Sequence, residues 1–136
     1  MEWEYQYQYD HRNRLVAKKL PGKQWEYIAY NSQDMPVATG PALNPWSGDG
    51  VGWMITKYDI FGRVVYTGWY DATPVTEAGR RNMETMISSS NWFEKFKTNG
   101  STIDNIATSY TNDVLPDNIK LLTVNYYDGY SYVNGP

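Results

Sequence analysis

The sequence predicts a mainly β fold, with antiparallel hairpins forming a twisted sheet and one inserted α-helix, at about residues 74–97, packed on it. Three observations carry that prediction. Tyr 13 and Trp 6 against Phe 3 is an aromatic balance suited to strands, whose rings lie along a sheet while their polar tips reach water or the backbone. Apolar and polar residues alternate with a period of two at the start of the chain, and Asn, Asp, Gly and Pro fall where such runs end. One stretch, residues 73–98, carries helical signals instead.

Taken in order, the odd positions Trp3, Tyr5, Tyr7 and Tyr9 share one strand face, and Glu2, Glu4, Gln6 and Gln8 share the other. Asn13 takes the αL-tolerant turn position that Gly62 fills further on, returning the chain into strands at 15–20 and 63–69. Pro21-Gly22 then turns it into a strand at 25–30. Met35-Pro36-Val37 opens another, with Pro36 at its first position or on an edge because proline cannot donate to a ladder. Residues 40–52, with Pro41, Pro45, Gly48 and Gly50 around Trp46, have loop composition and form an exposed insertion.

The second insertion, 73–98, is helical. Thr73 is its expected N-cap, Pro74 its first helical residue, and Met83, Met86, Ile87 and Ser90 its buried face, with Phe93 on the following turn. Ser88-Ser89-Ser90-Asn91 interrupts the helix formers, and Asn99-Gly100 ends the segment. Residues 99–120 are polar and predict a long loop or a short edge strand near 109–111. The last strand, 120–127, places Leu122, Val124 and Tyr126 on one face before an Asp128-Gly129 turn.

A motif recurs through these elements. Tyr5-Gln-Tyr7-Gln-Tyr9-Asp10 leads through a turn to Arg14-Leu15, Tyr27-Ile-Ala-Tyr30-Asn31 to Met35-Pro36, and Ile55-Thr-Lys-Tyr58-Asp59 through Gly62 to Arg63-Val64. A fourth start reads Val124-Asn-Tyr126-Tyr127-Asp128-Gly129. An aspartate at a strand end accepts backbone N–H bonds across the turn, and an arginine four residues later pairs with it or stacks on a tyrosine. Repetition of one such unit marks an array, with units near 3–24, 25–39, 53–70 and 121–133. The copies are uneven: Asn31 and Met35 replace acid and arginine in the second, and Tyr132 stands where the fourth would carry arginine. The intervals between Tyr9, Tyr30, Tyr58 and Tyr127 are 21, 28 and 69 residues.

The units resemble the YD repeats of the Rhs family, whose pattern is roughly Tyr-x-Tyr-Asp-x-x-Gly-Arg-Leu. Tyr7, Tyr9, Asp10, Arg14, Tyr30, Asn31, Tyr58, Asp59, Gly62, Arg63, Tyr127 and Asp128 carry the resemblance. It implies a segment of a large exported bacterial protein whose repeats build a β-sheet shell around a C-terminal toxin or effector domain. The implied partners are neighbouring repeats of the same polypeptide, a second copy through sheet edges, and the enclosed domain. The implied location is extracellular or at the cell surface.

Composition narrows the alternatives. A net charge of −3, with 12 basic residues against 15 acidic, argues against nucleic acid, which selects for clustered excess cations. Zero cysteines exclude disulfides and thiolate metal sites in this chain. No run reaches the roughly 18 apolar residues a membrane helix needs, so no membrane insertion is expected. Residues 1–4 lack the basic and apolar regions of a signal peptide, which suggests a fragment whose export signal lies upstream. His11 is the sole histidine and sits in a repeat turn, no carboxylate spacing selects a glycosidase pair, and Asp49 alone cannot supply the roughly six to eight oxygens of calcium. A non-catalytic protein without cofactor or metal is therefore expected. The competing expectation is a carbohydrate-binding module that stacks sugars on exposed rings, with Trp46, Trp53 and Trp69 as candidates.

Overall fold

The computed structural model describes residues 4–48 and 50–127. Six strands follow one another as antiparallel neighbours: β1 (Gln6–Tyr9), β2 (Leu15–Lys19), β3 (Trp25–Tyr30), β4 (Pro36–Leu43), β5 (Val51–Tyr58) and β6 (Val64–Tyr70). The chain then leaves the sheet through α1 (Glu77–Ser88) and a small hairpin, β7 (Thr102–Ile103) with β8 (Ile106–Ala107). It returns as β9 (Lys120–Val124), antiparallel to β6. The result is a seven-stranded sheet in the order β1-β2-β3-β4-β5-β6-β9. It is mainly β with one inserted helix, as the turn chemistry and aromatic content predict.

Register decides which face becomes the core. Trp53 lies opposite Tyr70, Ile55 opposite Gly68 and also Ala38, and Ala38 opposite Ala29, so these side chains project to one side. Onto that side fold Met83 and Ile87 of α1, together with Ile103, Tyr110 and Ile119 of the excursion, in one buried cluster that Leu121 of β9 joins. Residues 71–119 are thus the second layer that a half-apolar sheet requires. α1 lies against β3, where Arg80 donates to the carbonyl of Ile28.

Several boundaries differ from expectation, each for a local reason. The helix begins at Glu77, not Pro74, because Thr76 is the cap and its hydroxyl accepts from Gly79 N–H at 3.0 Å. Thr73 is buried ahead of it and its carbonyl accepts from the Trp53 indole. The helix stops at Ser88 rather than running to 97, because the hydroxyls of Ser88, Ser89 and Ser90 turn back onto the carbonyls of Thr85, Met86 and Ile87. Beyond it Phe93 makes an isolated bridge to Tyr58. Of the two expectations for 109–111, loop or short edge strand, the chain takes a loop with one bridge, Tyr110 to Phe96, flanked by backbone bonds from Lys97 to Ser109 and from Thr111 to Lys95.

The expected insertion at 40–52 contracts to a hairpin tip. β4 runs through Pro41 to Leu43, a register shift between Thr39 and Ala42 absorbs the proline, and Asn44 and Gly48 close the turn. In β9 a shift opposite Gly68 places Leu121 in the core and leaves Leu122 exposed, so the expected common face of Leu122, Val124 and Tyr126 is broken: Val124 packs on the core while Leu122 and Tyr126 are exposed. The aromatic face of β1 is the open one: Tyr5, Tyr7 and Tyr9 are 62%, 50% and 60% exposed. Trp3, Asp49, Asp128, Gly129 and Tyr132 lie outside the described residues.

Gly79 tests the helix start. Alanine would gain about 1 kcal/mol of helix propensity there. Its Cβ, however, would stand 1.7 Å from the backbone carbonyl oxygen of Pro74. The clash wins, so Gly79→Ala is expected to lower stability by about 1–3 kcal/mol in urea denaturation, whereas unchanged or raised stability would show that the segment before the cap moves freely.

Candidate functional site

Three turns of the sheet are built on one plan. Asp10 Oδ1 accepts from the amides of Arg12 and Arg14 at 2.9 and 3.0 Å, and Asp59 Oδ1 accepts from those of Phe61 and Arg63 at 2.9 Å each. Asn31 Oδ1 does the same for Gln33 and Met35, at 2.9 and 3.1 Å. The backbone repeats with equal fidelity: Asp10, Asn31 and Asp59 donate to the carbonyls of Arg14, Met35 and Arg63. The position three after each is left-handed, occupied by Asn13 (φ 60°), Asp34 (φ 62°) and Gly62 (φ 80°). Asn and Asp are the residues that tolerate that conformation best after glycine.

A bulge follows every turn. Tyr9 pairs with Leu15, Tyr30 with Pro36 and Tyr58 with Val64, leaving Val16, Val37 and Val65 as the extra, buried residues. In the charged copies the arginine closes the turn: Arg14 Nε donates to Asp10 Oδ2 at 2.7 Å and Arg63 Nε to Asp59 Oδ2 at 2.8 Å. These are the predicted latches.

Each latch also grips the next copy. Tyr30 donates its hydroxyl to the Leu15 carbonyl at 2.7 Å, Tyr58 to that of Pro36, and Tyr127 to that of Val64 at 2.7 Å. In all three the acceptor is the first residue after the arginine position. The guanidinium completes the contact in the charged copies, with Arg14 4.7 Å from the Tyr30 ring centre and Arg63 4.2 Å from that of Tyr127. Separations of 15, 22 and 63 residues therefore produce the same junction. The uneven intervals of the sequence are excursions between fixed contacts.

Charge is balanced around the first latch. Arg12 and Arg14 both reach Asp34 at 3.1 Å, Arg14 lies 3.6 Å from Glu84, and Glu84 binds Arg80. Glu84 Oε2 also accepts the Tyr30 amide at the bulge, at 3.2 Å. Burial alone would raise the Asp10 carboxyl; the Arg14 amide, the Arg14 guanidinium and the Arg12 amide outweigh it and hold the group at about 2.

A second polar centre lies outside any sequence motif. Lys57 and Glu94 are both fully buried, with Nζ 3.6 Å from Oε2, and Nζ also donates to Asn112 Oδ1 and the Val114 carbonyl at 2.6 Å each. Glu94 accepts from the Thr111 hydroxyl and the amides of Asp113 and Val114. Burial lowers Lys57 to about 8, with Glu94 opposing, and burial raises the Glu94 carboxyl against the pull of Lys57. The sequence signal for Lys57 was its phase, since it alternates with Trp53 and Ile55 on the inward face of β5.

The tryptophans divide. Trp53 and Trp69 are 0% and 2% exposed and spend their indole N–H groups on the carbonyls of Thr73 and Ala42, so neither ring offers a face to a sugar. Trp46 is 56% exposed at the β4–β5 tip, with Lys120 Nζ 5.4 Å from its ring centre. Tyr5 and Tyr7 stack in the open, 6.5 Å apart and 9° from parallel. His11 is exposed in the first turn, and Asp128 lies outside the described residues. Among the described residues no three His, Cys, Asp or Glu side chains gather as metal ligands, and no helix is long and apolar enough to cross a membrane. No family model, curated protein or solved structure matches the chain.

Two measurements address the latch. The Asp10 carboxyl is ordinarily at 3.8 and is depressed to about 2 in the fold, so its contribution is complete above about pH 4 and is lost as pH falls through 2. That amounts to about 2 kcal/mol. Asp10→Asn should therefore flatten the acid limb of a stability profile, and an unchanged profile would deny the latch its electrostatic role. Tyr30→Phe, which leaves the Leu15 carbonyl without its hydroxyl donor, is expected to cost about 1 kcal/mol in chemical denaturation.

Proposed function

We propose that this chain is a non-catalytic structural segment of a large exported bacterial protein of the Rhs, YD-repeat kind, contributing to a β-sheet shell that encloses a C-terminal toxin or effector domain. The observation that carries the reading is the recurrent junction in which the tyrosine of each copy binds the carbonyl behind the preceding latch. Such a junction propagates, because the second and third copies each both offer a carbonyl and supply a hydroxyl. Stability in such arrays comes from nearest-neighbour interfaces.

The charged groups point the same way. Asp10, Arg14 and Asp59 are engaged in holding turns, with hydrogen bonds that leave little capacity for a substrate. The natural partners of β1 and β9, the terminal strands of the sheet, are strands of adjoining repeats. The corresponding location is outside the cell or on its surface.

Carbohydrate binding is the second reading, supported by the open Tyr5–Tyr7 stack and the exposed Trp46. It rests on fewer rings than the sequence offered, since Trp53 and Trp69 are interior. Light scattering over a concentration series, with a panel of soluble glycans added at the highest point, separates the two. A shell segment associates through its terminal strands and ignores the glycans. A stable monomer whose tryptophan fluorescence shifts with one sugar would replace the shell reading with the binding module.

A further inference from the structure

Lys57, the penultimate residue of β5, has none of its surface in water. An ammonium in that place is costly unless its protons are taken up by close acceptors. Those it finds are unusual in kind: a carboxamide oxygen, Asn112 Oδ1, at 2.6 Å, a backbone carbonyl at 2.6 Å, and the Glu94 carboxylate at 3.6 Å. Asn112 is half-buried, and its Nδ2 donates to the Asp117 carbonyl at 2.9 Å, which fixes the orientation of the amide. The amide of the next residue, Asp113, donates to Glu94 Oε1 at 2.8 Å and so ties the Asn112 backbone to the same carboxyl group. Tyr66 closes the site, its ring centre 6.0 Å from Nζ, with Tyr110 packed edge-on against it.

We propose that Lys57 and Asn112 join in an intramolecular isopeptide bond, with Glu94 carrying the protons. Glu94 first takes a proton from the Lys57 ammonium, leaving a neutral amine beside a neutral acid. The Nζ lone pair attacks Asn112 Cγ and forms the new C–N bond, and the carbonyl electrons move onto Oδ1. Glu94 gives its proton to Nδ2 and takes one from Nζ as the carbonyl re-forms and the Cγ–Nδ2 bond breaks. One ammonia leaves through the exposed side of Asn112, and Glu94 remains protonated. Nothing is oxidised or reduced, and no co-reactant enters.

Two ordinary obstacles to this reaction are addressed at the site. A lysine in water is a charged non-nucleophile, whereas burial brings Lys57 down to about 8 and raises Glu94, so both partners favour the proton transfer. An amide is a weak electrophile, and here a fixed geometry supplies the proximity that a bimolecular reaction lacks. The product would fasten β5 to the stretch ahead of β9, closing the second layer over the sheet by a covalent bond. The inference stands whether or not the chain belongs to a shell.

Intact mass spectrometry of the purified 136-residue chain decides the matter. The expected result is a mass one ammonia below that of the sequence, a proteolytic peptide joining Lys57 to Asn112, and no tryptic cleavage after Lys57. Asn112→Ala should restore the full mass and the cleavage, and Glu94→Gln should slow or abolish ammonia loss in protein whose far-UV circular dichroism is unchanged. Full mass with free Lys57 after prolonged incubation of the folded native sequence at mildly alkaline pH would overturn the proposal, irrespective of how the variants fold. Ammonia loss that maps to a succinimide at Asn99-Gly100 would overturn it equally.

Discussion

The fold depends on how a strand end disposes of its backbone amides. A hairpin that turns through a left-handed residue leaves two N–H groups pointing inward with no strand partner, and such groups are costly when removed from water. One side-chain oxygen, from Asp10, Asn31 or Asp59, takes both. The bulge valine that follows each turn is the geometric consequence, because a turn closed around that oxygen returns the chain one residue out of step. The buried valine then rotates the next strand into line with the core. Latch, bulge and core contact thus form one unit of structure, and the sheet is three such units with the opening strand of a fourth.

The junction between units explains why a large excursion is tolerated. Forty-nine residues, 71–119, separate β6 from β9, yet Tyr127 reaches the Val64 carbonyl as Tyr30 reaches that of Leu15. A longer connection adds little to the entropy of closing it, since that cost rises only with the logarithm of length. The excursion also answers a need of the sheet. Its inward row of Trp53, Ile55, Tyr66 and Tyr70 has to be covered, and Met83, Ile87, Ile103 and Tyr110 cover it. Lys57 stands in that same row, which is why its partners, Glu94, Asn112 and Val114, all come from the covering layer.

Much of this was legible in the sequence because it rests on short-range chemistry. The equivalence of Asn13 and Gly62 follows from backbone tolerance alone, and the pairing of Asp10 with Arg14 follows from spacing across a turn. What the sequence concealed depends on distant neighbours. Pro74 reads as a first helical residue, but the segment must first deliver the Thr73 carbonyl to the Trp53 indole, so the helix waits for Thr76. Trp53 and Trp69 read as surface rings because tryptophan serves cores and ligands alike; register turns Trp53 into the core, whereas Trp69, opposite Met54 on the other face, is buried by lying against Gly52 with its indole N–H on the Ala42 carbonyl. Strict alternation puts Leu122 and Val124 on one face, and a single bulge suffices to separate them.

The second copy shows that the unit is specified by its oxygen rather than by its charge. Asn31 supplies the same acceptor as Asp10 and Asp59, but its Nδ2 is buried without a partner, at a cost on the order of 1–3 kcal/mol. An aspartate there would remove that orphan and introduce a carboxylate with no arginine in its own turn, since Met35 holds the place of Arg14 and Arg63. The local cations are already committed: Arg12, Arg14 and Arg80 are matched by Asp10, Asp34 and Glu84. A fourth, unmatched carboxylate in a buried turn would cost several kcal/mol, more than the orphan amide does. The neutral side chain is therefore the cheaper solution once Asp34 has taken the left-handed position. Its carboxylate reaches back to both arginines of the first copy, while Met35 packs against the core with its sulfur beside Gly62 of the third. The loss of one ion pair within the second turn is in this way coupled to the gain of two ion pairs with the first.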